Sequence, residues 1–170
     1  MFYFDIIILK IKNIMKYNYT PQTKEELESI ISKKFKNVYV NETIDLNDID
    51  VSNITDMSTL FYDTCHNVNI SEWNVSNVTN MSGMFMSSNF NNDISKWDVH
   101  NVTNMSCMFE DSCFNSDISE WNVSNVTDMY SMFCCTPFNN NISKWNINNV
   151  VNMQYIYEDC PIENNNKAKK

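Results

Sequence analysis

The chain has 170 residues, of which 43% are hydrophobic and 13% aromatic. This composition suits one domain with a sizeable core and excludes a disordered chain. Twelve lysines, no arginines and 21 acidic residues give a net charge of -9. Such an excess of negative charge repels nucleic acid phosphates and anionic lipid surfaces, so we expect neither as a partner.

The first fourteen residues form an apolar run that Asp5 interrupts. The run lacks the basic start and the small-residue cleavage site of a signal peptide. It also has about half the apolar length that a membrane-spanning helix needs. We therefore predict an N-terminal extension over residues 1–16 without a membrane span or signal peptide. A frayed strand and an unusual membrane-targeting segment are the alternatives for residues 1–14. A cytoplasmic or host-cell intracellular location thus stays open beside a surface location.

Residues 17–44 are predicted to form an N-terminal cap. Thr23 and Glu26 have the spacing of a capping box, which opens a helix. The apolar residues between Leu27 and Phe35 recur at helical spacing, so one face of this helix is apolar and can cover an open end of a core. Residues 38–40 have the composition of a short strand.

From residue 45 to 163 the sequence repeats every 24 residues. The recurring pattern is Ile-Ser-Lys/Glu-Trp-Asn/Asp-Val-x-Asn-Val-Thr-Asn/Asp-Met-x-x-Met-Phe. A fixed period of this length is typical of a solenoid, whose units stack and share one core. We define five coils, which begin at Asp45, Asn69, Asp93, Asp117 and Asn141, and we predict a disordered tail over residues 164–170.

Eight columns of the repeat remain mainly apolar and are the predicted core. In the third coil their members are Ile94, Trp97, Val99, Val102, Met105, Met108, Phe109 and Phe114. The first three have the spacing of a leucine-rich-repeat strand, whereas residues 105–109 change to helical spacing. The fold class predicted is therefore an α/β repeat solenoid, leucine-rich-repeat-like, with short parallel strands, helical turns and an N-terminal capping helix.

One column of asparagines never varies among the coils. A repeated Asn can bond backbone groups of its own coil and of the next coil, so we predict a structural ladder of Asn53, Asn77, Asn101, Asn125 and Asn149. Ligand binding by these residues is the alternative.

Two further columns of Asp and Asn, which begin at Asp45 and Asp56, are consistent with turns or with calcium binding. Calcium-binding repeats use Gly-rich turns, and this chain has one glycine. We therefore expect turn formation, no metal and no cofactor.

The outward positions beside the Trp column are the candidate binding residues. The charged position in this region alternates in sign from Glu72 to Lys144, although a solvated face without a partner explains such charges equally well. We assign partner binding to Glu72, Asn74, Lys96, Asp98, Glu120 and Asn122. No Cys-His or Ser-His-Asp arrangement recurs, so we predict no enzymatic activity.

Six cysteines are spread over the repeats. Cys65 and Cys113 share a column two coils apart, which at strand spacing is nearly 10 Å and too far for a disulfide. Cys135 and Cys160 occupy nearly adjacent places in neighbouring coils, and they can pair under oxidising conditions.

The string Asp117-Ile-Ser-Glu-Trp-Asn-Val-Ser-Asn-Val-Thr-Asp-Met-Tyr-Ser-Met-Phe133 resembles the BspA-like leucine-rich repeat surface proteins, the group that holds the domain of unknown function first noted in mycoplasmas. The resemblance covers about residues 20 to 163 and includes the first helix and the closing Cys160-Pro161-Ile162. It implies a leucine-rich-repeat-like solenoid, often on secreted or surface proteins. Members with known roles act in adhesion to host or matrix proteins, and the group has no common catalytic residues.

We therefore predict a monomeric, non-enzymatic module for protein interaction or adhesion, which binds a protein partner through the outward strand face. The alternative is an intracellular scaffold or a viral accessory protein with the same fold. A calcium-dependent or catalytic protein is the third hypothesis.

Overall fold

The computed structural model describes residues 16–36, 38–39 and 42–169. The predicted N-terminal extension lies outside these ranges except for Lys16. Val40, the last residue of the strand predicted over residues 38–40, also lies outside them, and Val38 and Tyr39 are not part of a strand.

Helix α1 spans Lys24–Phe35 and begins where the capping box predicts. The Thr23 Oγ1 accepts a hydrogen bond from the Glu26 N–H at 3.3 Å. The Glu26 carboxylate accepts the Gln22 N–H at 2.7 Å, so the reciprocal bond is shifted by one residue from the usual box. The buried residues Leu27 and Ile31 join the common core, which places the apolar face of α1 over the first coil.

Two short strands form the one sheet of the described residues. Strand β1, Thr43–Asp45, pairs in parallel with strand β2, Asn67–Asn69, in a register that joins Thr43 to Asn67 and Asp45 to Asn69. Each pair is one repeat apart. Beyond these strands, isolated parallel bridges run along the second Asx column, from Asp56 through Asn80, Asn104 and Asp128 to Asn152.

The predicted fold class, an α/β repeat solenoid with a strand and a helical turn in each coil, is wrong. The described residues contain one complete helix and two strands of three residues, and most of each coil consists of turns and irregular backbone. Residues 94–99, a predicted strand, instead include a turn in which the Trp97 N–H donates to the Ile94 carbonyl at 3.1 Å. Residues 105–109, the predicted helical turn, are non-helical turns. Asx side chains explain part of this difference, because they offer backbone N–H groups a local partner that competes with regular structure.

The coils are joined mainly on the side of the two Met columns, where every second N–H of one coil donates to a carbonyl of the next. Between the first two coils the bonds are Met57 to Asn80, Thr59 to Ser82, Phe61 to Met84 and Asp63 to Met86. The same four bonds recur at the three following interfaces, and all of them measure 2.7–3.1 Å. We call these bonds the ladder. The N–H groups between the ladder donors close turns within their own coil, as Leu60 does onto Met57 at 3.3 Å.

This alternation requires a left-handed backbone at two columns of every coil. The first column is Thr59, Gly83, Cys107, Ser131 and Tyr155, and the second is Asp63, Ser87, Asp111, Cys135 and Asp159, all with φ between 50° and 61°. Only one of the ten is a glycine, although glycine adopts this conformation at the least cost. A β-branched residue such as Thr59 is a genuine outlier there, so its backbone stores strain.

The predicted core columns are confirmed. Their residues are buried in the three central coils, and partial burial is confined to the end coils, as at Leu60 and Met153. The Phe column stacks from coil to coil at ring-centroid distances of 5.6 Å between Phe61 and Phe85 and 5.7 Å between Phe85 and Phe109. The Trp column also closes hydrogen bonds, since the Trp97 Nε1 donates to the Ile70 carbonyl at 3.2 Å.

The two ends of the coil stack differ. Residues 164–169 of the tail, which was predicted to be disordered, pack on the fifth coil, where the Asn166 carbonyl accepts the Ile142 N–H at 2.9 Å and Ala168 is buried. Lys170, the last residue of the predicted tail, lies outside the described residues. On the ladder side of this coil no acceptor within the described residues takes the N–H groups that would continue the ladder. These donors belong to Met153, Tyr155, Tyr157 and Asp159.

Relief of the strain at Thr59 is the first testable consequence. A left-handed threonine costs about 1–2 kcal/mol, and Thr59→Gly removes this cost. The glycine also gives the unfolded chain more conformational entropy, which destabilises the folded state by about 0.5–1 kcal/mol. We expect this variant to be as stable as the original protein or more stable in urea unfolding. Thr55→Gly is the matched control, because Thr55 is exposed and is absent from the left-handed residues. It should lose about 0.5–1 kcal/mol, and equal losses in the two variants would contradict the strain at Thr59.

Candidate functional site

Three cavities lie in a row beside the Trp column and form what we call the groove. The first, of about 340 Å³, is lined by Thr43, Asn67, Asn69, Ser71, Glu72, Asn92, Asp93 and Lys96. The second, of about 270 Å³, is lined by Ser95, Asp117, Ser119 and Glu120, and the third, of about 140 Å³, by Ser119, Glu120, Asn141 and Lys144. Because the same columns recur in successive coils, the groove crosses the coils and has a largely polar lining.

Local turns fix the wall of the groove. In the third coil the Ser95 N–H donates to the Asp93 Oδ1 at 2.9 Å, and Ser119 and Asp117 repeat this bond at 2.9 Å in the fourth coil. Hydrogen bonds from the hydroxyl and the backbone of Ser95 hold the pKa of Asp93 below its ordinary value. This carboxylate therefore remains charged and bonded within its turn. The residue after the serine, a Glu or Lys in the second to fifth coils, lines the cavities.

Four charged side chains of the groove have no hydrogen-bond or ion-pair partner within the described chain. Glu72, Lys96, Glu120 and Lys144 are exposed, and their side chains make no ion pair or hydrogen bond among the described residues. Neighbouring charges of opposite sign line one cavity, as Glu72 and Lys96 do in the first.

The first-coil member of this charged column differs from the other four. Asp48 contacts the Lys34 Nζ at 2.8 Å, which ties it to α1. Burial by itself raises the pKa of Asp48, but hydrogen bonds from Lys34 and Asn18 outweigh it, so this pKa lies below its usual range. The unpaired charges of the groove therefore begin at the second coil.

The six predicted binding residues fall into two sets. Glu72, Lys96 and Glu120 line the groove. The other three, Asn74, Asp98 and Asn122, line none of its cavities, and their Oδ1 atoms accept the N–H of the residue two positions later. Asp98 also lies 2.8 Å from the His100 Nδ1.

The invariant Asn column bonds backbone groups between coils. The side-chain amide of Asn77 donates to the Ser52 carbonyl at 2.7 Å, and Asn101, Asn125 and Asn149 repeat the bond to the preceding coil at 2.7–2.8 Å. Asn53 has no preceding coil and donates instead to the Gln22 side chain at 3.2 Å.

The remaining Asx residues are used in turns. In the columns that begin at Asp45 and Asp56, Oδ1 atoms accept the N–H two residues later, as Asn80 does from Ser82 at 3.1 Å. Within the described ranges no group of three or more His, Cys, Asp or Glu side chains is arranged to hold a metal ion.

Reasoning from the sequence missed the polar wall of the first cavity. Asn92 donates to the Asn67 side chain and to the Val68 carbonyl, and Asn67 in turn donates to Thr43 at 2.8 Å. The signal was present, because each coil has polar residues just before its Ile column. Nothing in the spacing, however, showed that these residues border the charged column of the next coil.

A model of the family described as "Mycoplasma protein of unknown function, DUF285" matches residues 29–133 and 110–169. The chain belongs to this family. No curated protein and no solved structure matches it. The two matched ranges together begin within α1 and include all five coils, so the DUF285 match extends over both the groove and the ladder.

One further finding concerns the membrane. Within the described part of this DUF285 chain, no helix has the length and apolar character needed to cross a bilayer.

The Asn column supplies the second testable consequence. Asn101→Asp removes the donor to the Ser76 carbonyl and leaves that carbonyl beside a carboxylate. We expect a loss of about 1 kcal/mol in urea unfolding at neutral pH, the usual net value of one hydrogen bond. Asn53→Asp is the same change in the same column, but Asn53 makes no bond between coils. This variant should lose less than half as much free energy of unfolding. A larger loss at Asn53 would contradict the role of the inter-coil bond.

Proposed function

We propose that the protein is a non-enzymatic protein-interaction module of the adhesion type, which binds a protein partner through the groove. The observation that carries the proposal is the row of unpaired charges, Glu72, Lys96, Glu120 and Lys144, along three adjoining cavities. Repeat proteins commonly bind through such extended surfaces. The resemblance to the BspA-like surface proteins, some of which are adhesins, supports the same function.

The energetics of the groove favour a selective protein partner. Exposed ion pairs contribute only about 0–1 kcal/mol each, but a fixed pattern of alternating charge rejects partners that place like charges opposite it. The rigid turns beneath these side chains keep the charges in register, since each coil repeats the position of the last. The pattern therefore contributes more to the choice of partner than to affinity.

Other observations favour a binding role for the groove over a catalytic one. The Asx oxygens near it already accept hydrogen bonds from their own turns. Its exposed charges alternate in sign and lack a neighbouring histidine or cysteine among the lining residues. This arrangement supports a binding surface rather than a catalytic centre.

The test is charge reversal in the groove. The triple variant Glu72→Lys, Lys96→Glu, Glu120→Lys should lose at least about tenfold in affinity for a genuine partner, the effect of roughly 1.4 kcal/mol. Partners are identified by quantitative affinity purification from native and host lysates and from solubilised host matrix. Affinity for each partner is then measured with purified components.

The matched control is Glu42→Lys, Lys36→Glu, Glu163→Lys. These three residues are exposed, lie outside the groove and change the net charge by the same amount. The control should retain every partner. An unchanged partner list and unchanged affinities in the groove variant, with both variants folded by circular dichroism, would reject the groove as the binding site.

A further inference from the structure

Two adjacent cysteines occur only in the fourth coil, on its ladder side. Cys134 and Cys135 occupy the positions that Glu110 and Asp111 occupy in the third coil. Their sulfur atoms lie 3.5 Å apart, and both thiols are free. In an extended chain two successive side chains point to opposite faces. Here Cys135 has a left-handed backbone, with φ of 56°, and this conformation breaks the alternation.

The pair combines a sheltered sulfur with an accessible one. Cys134 is only 8% exposed, whereas Cys135 is exposed. The backbone of both residues is held, because the Cys134 N–H donates to the Ser131 carbonyl at 3.1 Å and the Cys135 N–H to the Glu158 carbonyl at 2.9 Å. A reagent can therefore reach Cys135 first and find the second thiol already in position.

Cys160, the partner that the sequence suggested for Cys135, is engaged elsewhere. Its thiol lies 3.1 Å from the Phe138 carbonyl, in hydrogen-bonding geometry. Cys135 therefore has Cys134 as its close thiol neighbour.

The distance between the two sulfurs is close to the distance needed for both of them to bind one thiophilic atom. Two sulfurs bound at about 2.3 Å to a tetrahedral atom lie roughly 3.8 Å apart, so the pair needs little movement to bind one atom. A structural zinc site needs four ligands, and the described residues provide no cluster of three. Burial, followed by the hydrogen bond with Cys135, raises the pKa of Cys134 to about 12. Because the Cys134 thiol carries its proton, an atom that binds this sulfur must release that proton, and an oxo group on the same atom can carry it away as water.

We propose that Cys134 and Cys135 form a vicinal dithiol site that binds one trivalent arsenical, or an equally thiophilic oxo compound, through both sulfurs. With an organic arsenoxide, two As–S bonds form while the As=O bond and two S–H bonds break. The oxygen and the two protons leave as one water molecule. Arsenic remains trivalent throughout, so the step needs neither an oxidant nor a reductant. The site is independent of the groove, with which it shares no lining residue.

The experiment uses phenylarsine oxide and the full-length reduced protein. Intact-mass spectrometry should show one adduct per chain that has lost one water. The adduct should survive a large excess of glutathione, a monothiol, and be removed by 1,2-ethanedithiol. This pattern distinguishes a two-sulfur chelate from attachment to one cysteine, because the second As–S bond forms at a high effective concentration.

Single variants locate the two sulfurs. Cys134→Ser and Cys135→Ser should each weaken the binding of phenylarsine oxide at least about 100-fold, in line with the usual gain from linking two sites. Serine occupies the column of Cys135 at Ser87, so that variant is compatible with the fold. Cys113→Ser, which changes another exposed cysteine in the preceding coil, is the matched control and should bind as the original protein does.

Several results would overturn the proposal. They are the absence of an adduct on the original protein, an adduct that glutathione removes, retention of tight binding in both single variants, or its loss in Cys113→Ser. Cys107→Ser provides a further check, because burial, then Glu110 and, among the smaller causes, Cys134 raise the pKa of the Cys107 thiol to about 12. Loss of the adduct in that variant, with retention in Cys135→Ser, would identify a pair between coils instead of the vicinal pair.

Discussion

The ladder is the constraint on which the rest of the structure depends. Its bonds connect each coil to the next at four points and repeat at every interface. The stacking of Phe61, Phe85 and Phe109 follows the same repeat, because each ring is on a ladder residue. The use of alternate N–H groups between coils and within them comes with a left-handed backbone at Thr59 and its equivalents, and at the β-branched Thr59 this backbone stores strain. Core packing and turn geometry are therefore set together.

The sequence allowed correct prediction of the period, the core columns and the start of α1, since each depends on a pattern that is local or strictly repeated. The content of regular structure was predicted wrongly. Apolar residues spaced as Ile94, Trp97 and Val99 also fit a run of turns, and Asx side chains favour the turns. The sequence also did not predict the left-handed columns, because residues such as Cys107 and Tyr155 have no intrinsic preference for that conformation.

At the candidate site, too, the repeat pattern predicted which positions are charged but not which side chains are held in hydrogen bonds. The charged column was evident from its variation between coils, and four of its members line the groove. Adjacent polar residues such as Asn74 looked equally available, yet their side-chain oxygens accept bonds from their own turns. Exposure alone did not distinguish these residues, since both kinds are exposed. The two kinds of residue differ in whether the side chain has a hydrogen-bond partner, and that partner depends on turn geometry.

The direction of the ladder bonds gives the fold an electrical asymmetry. Every ladder N–H is directed toward the C-terminal coil and every ladder carbonyl toward the N-terminal coil. The peptide dipoles of this strip therefore add along the stack, as they do along an α-helix, but with the opposite polarity relative to the chain. The positive pole lies at the C-terminal coil, where Glu158 and Asp159 are exposed. Acidic side chains there are placed as they would be at the first turn of a helix.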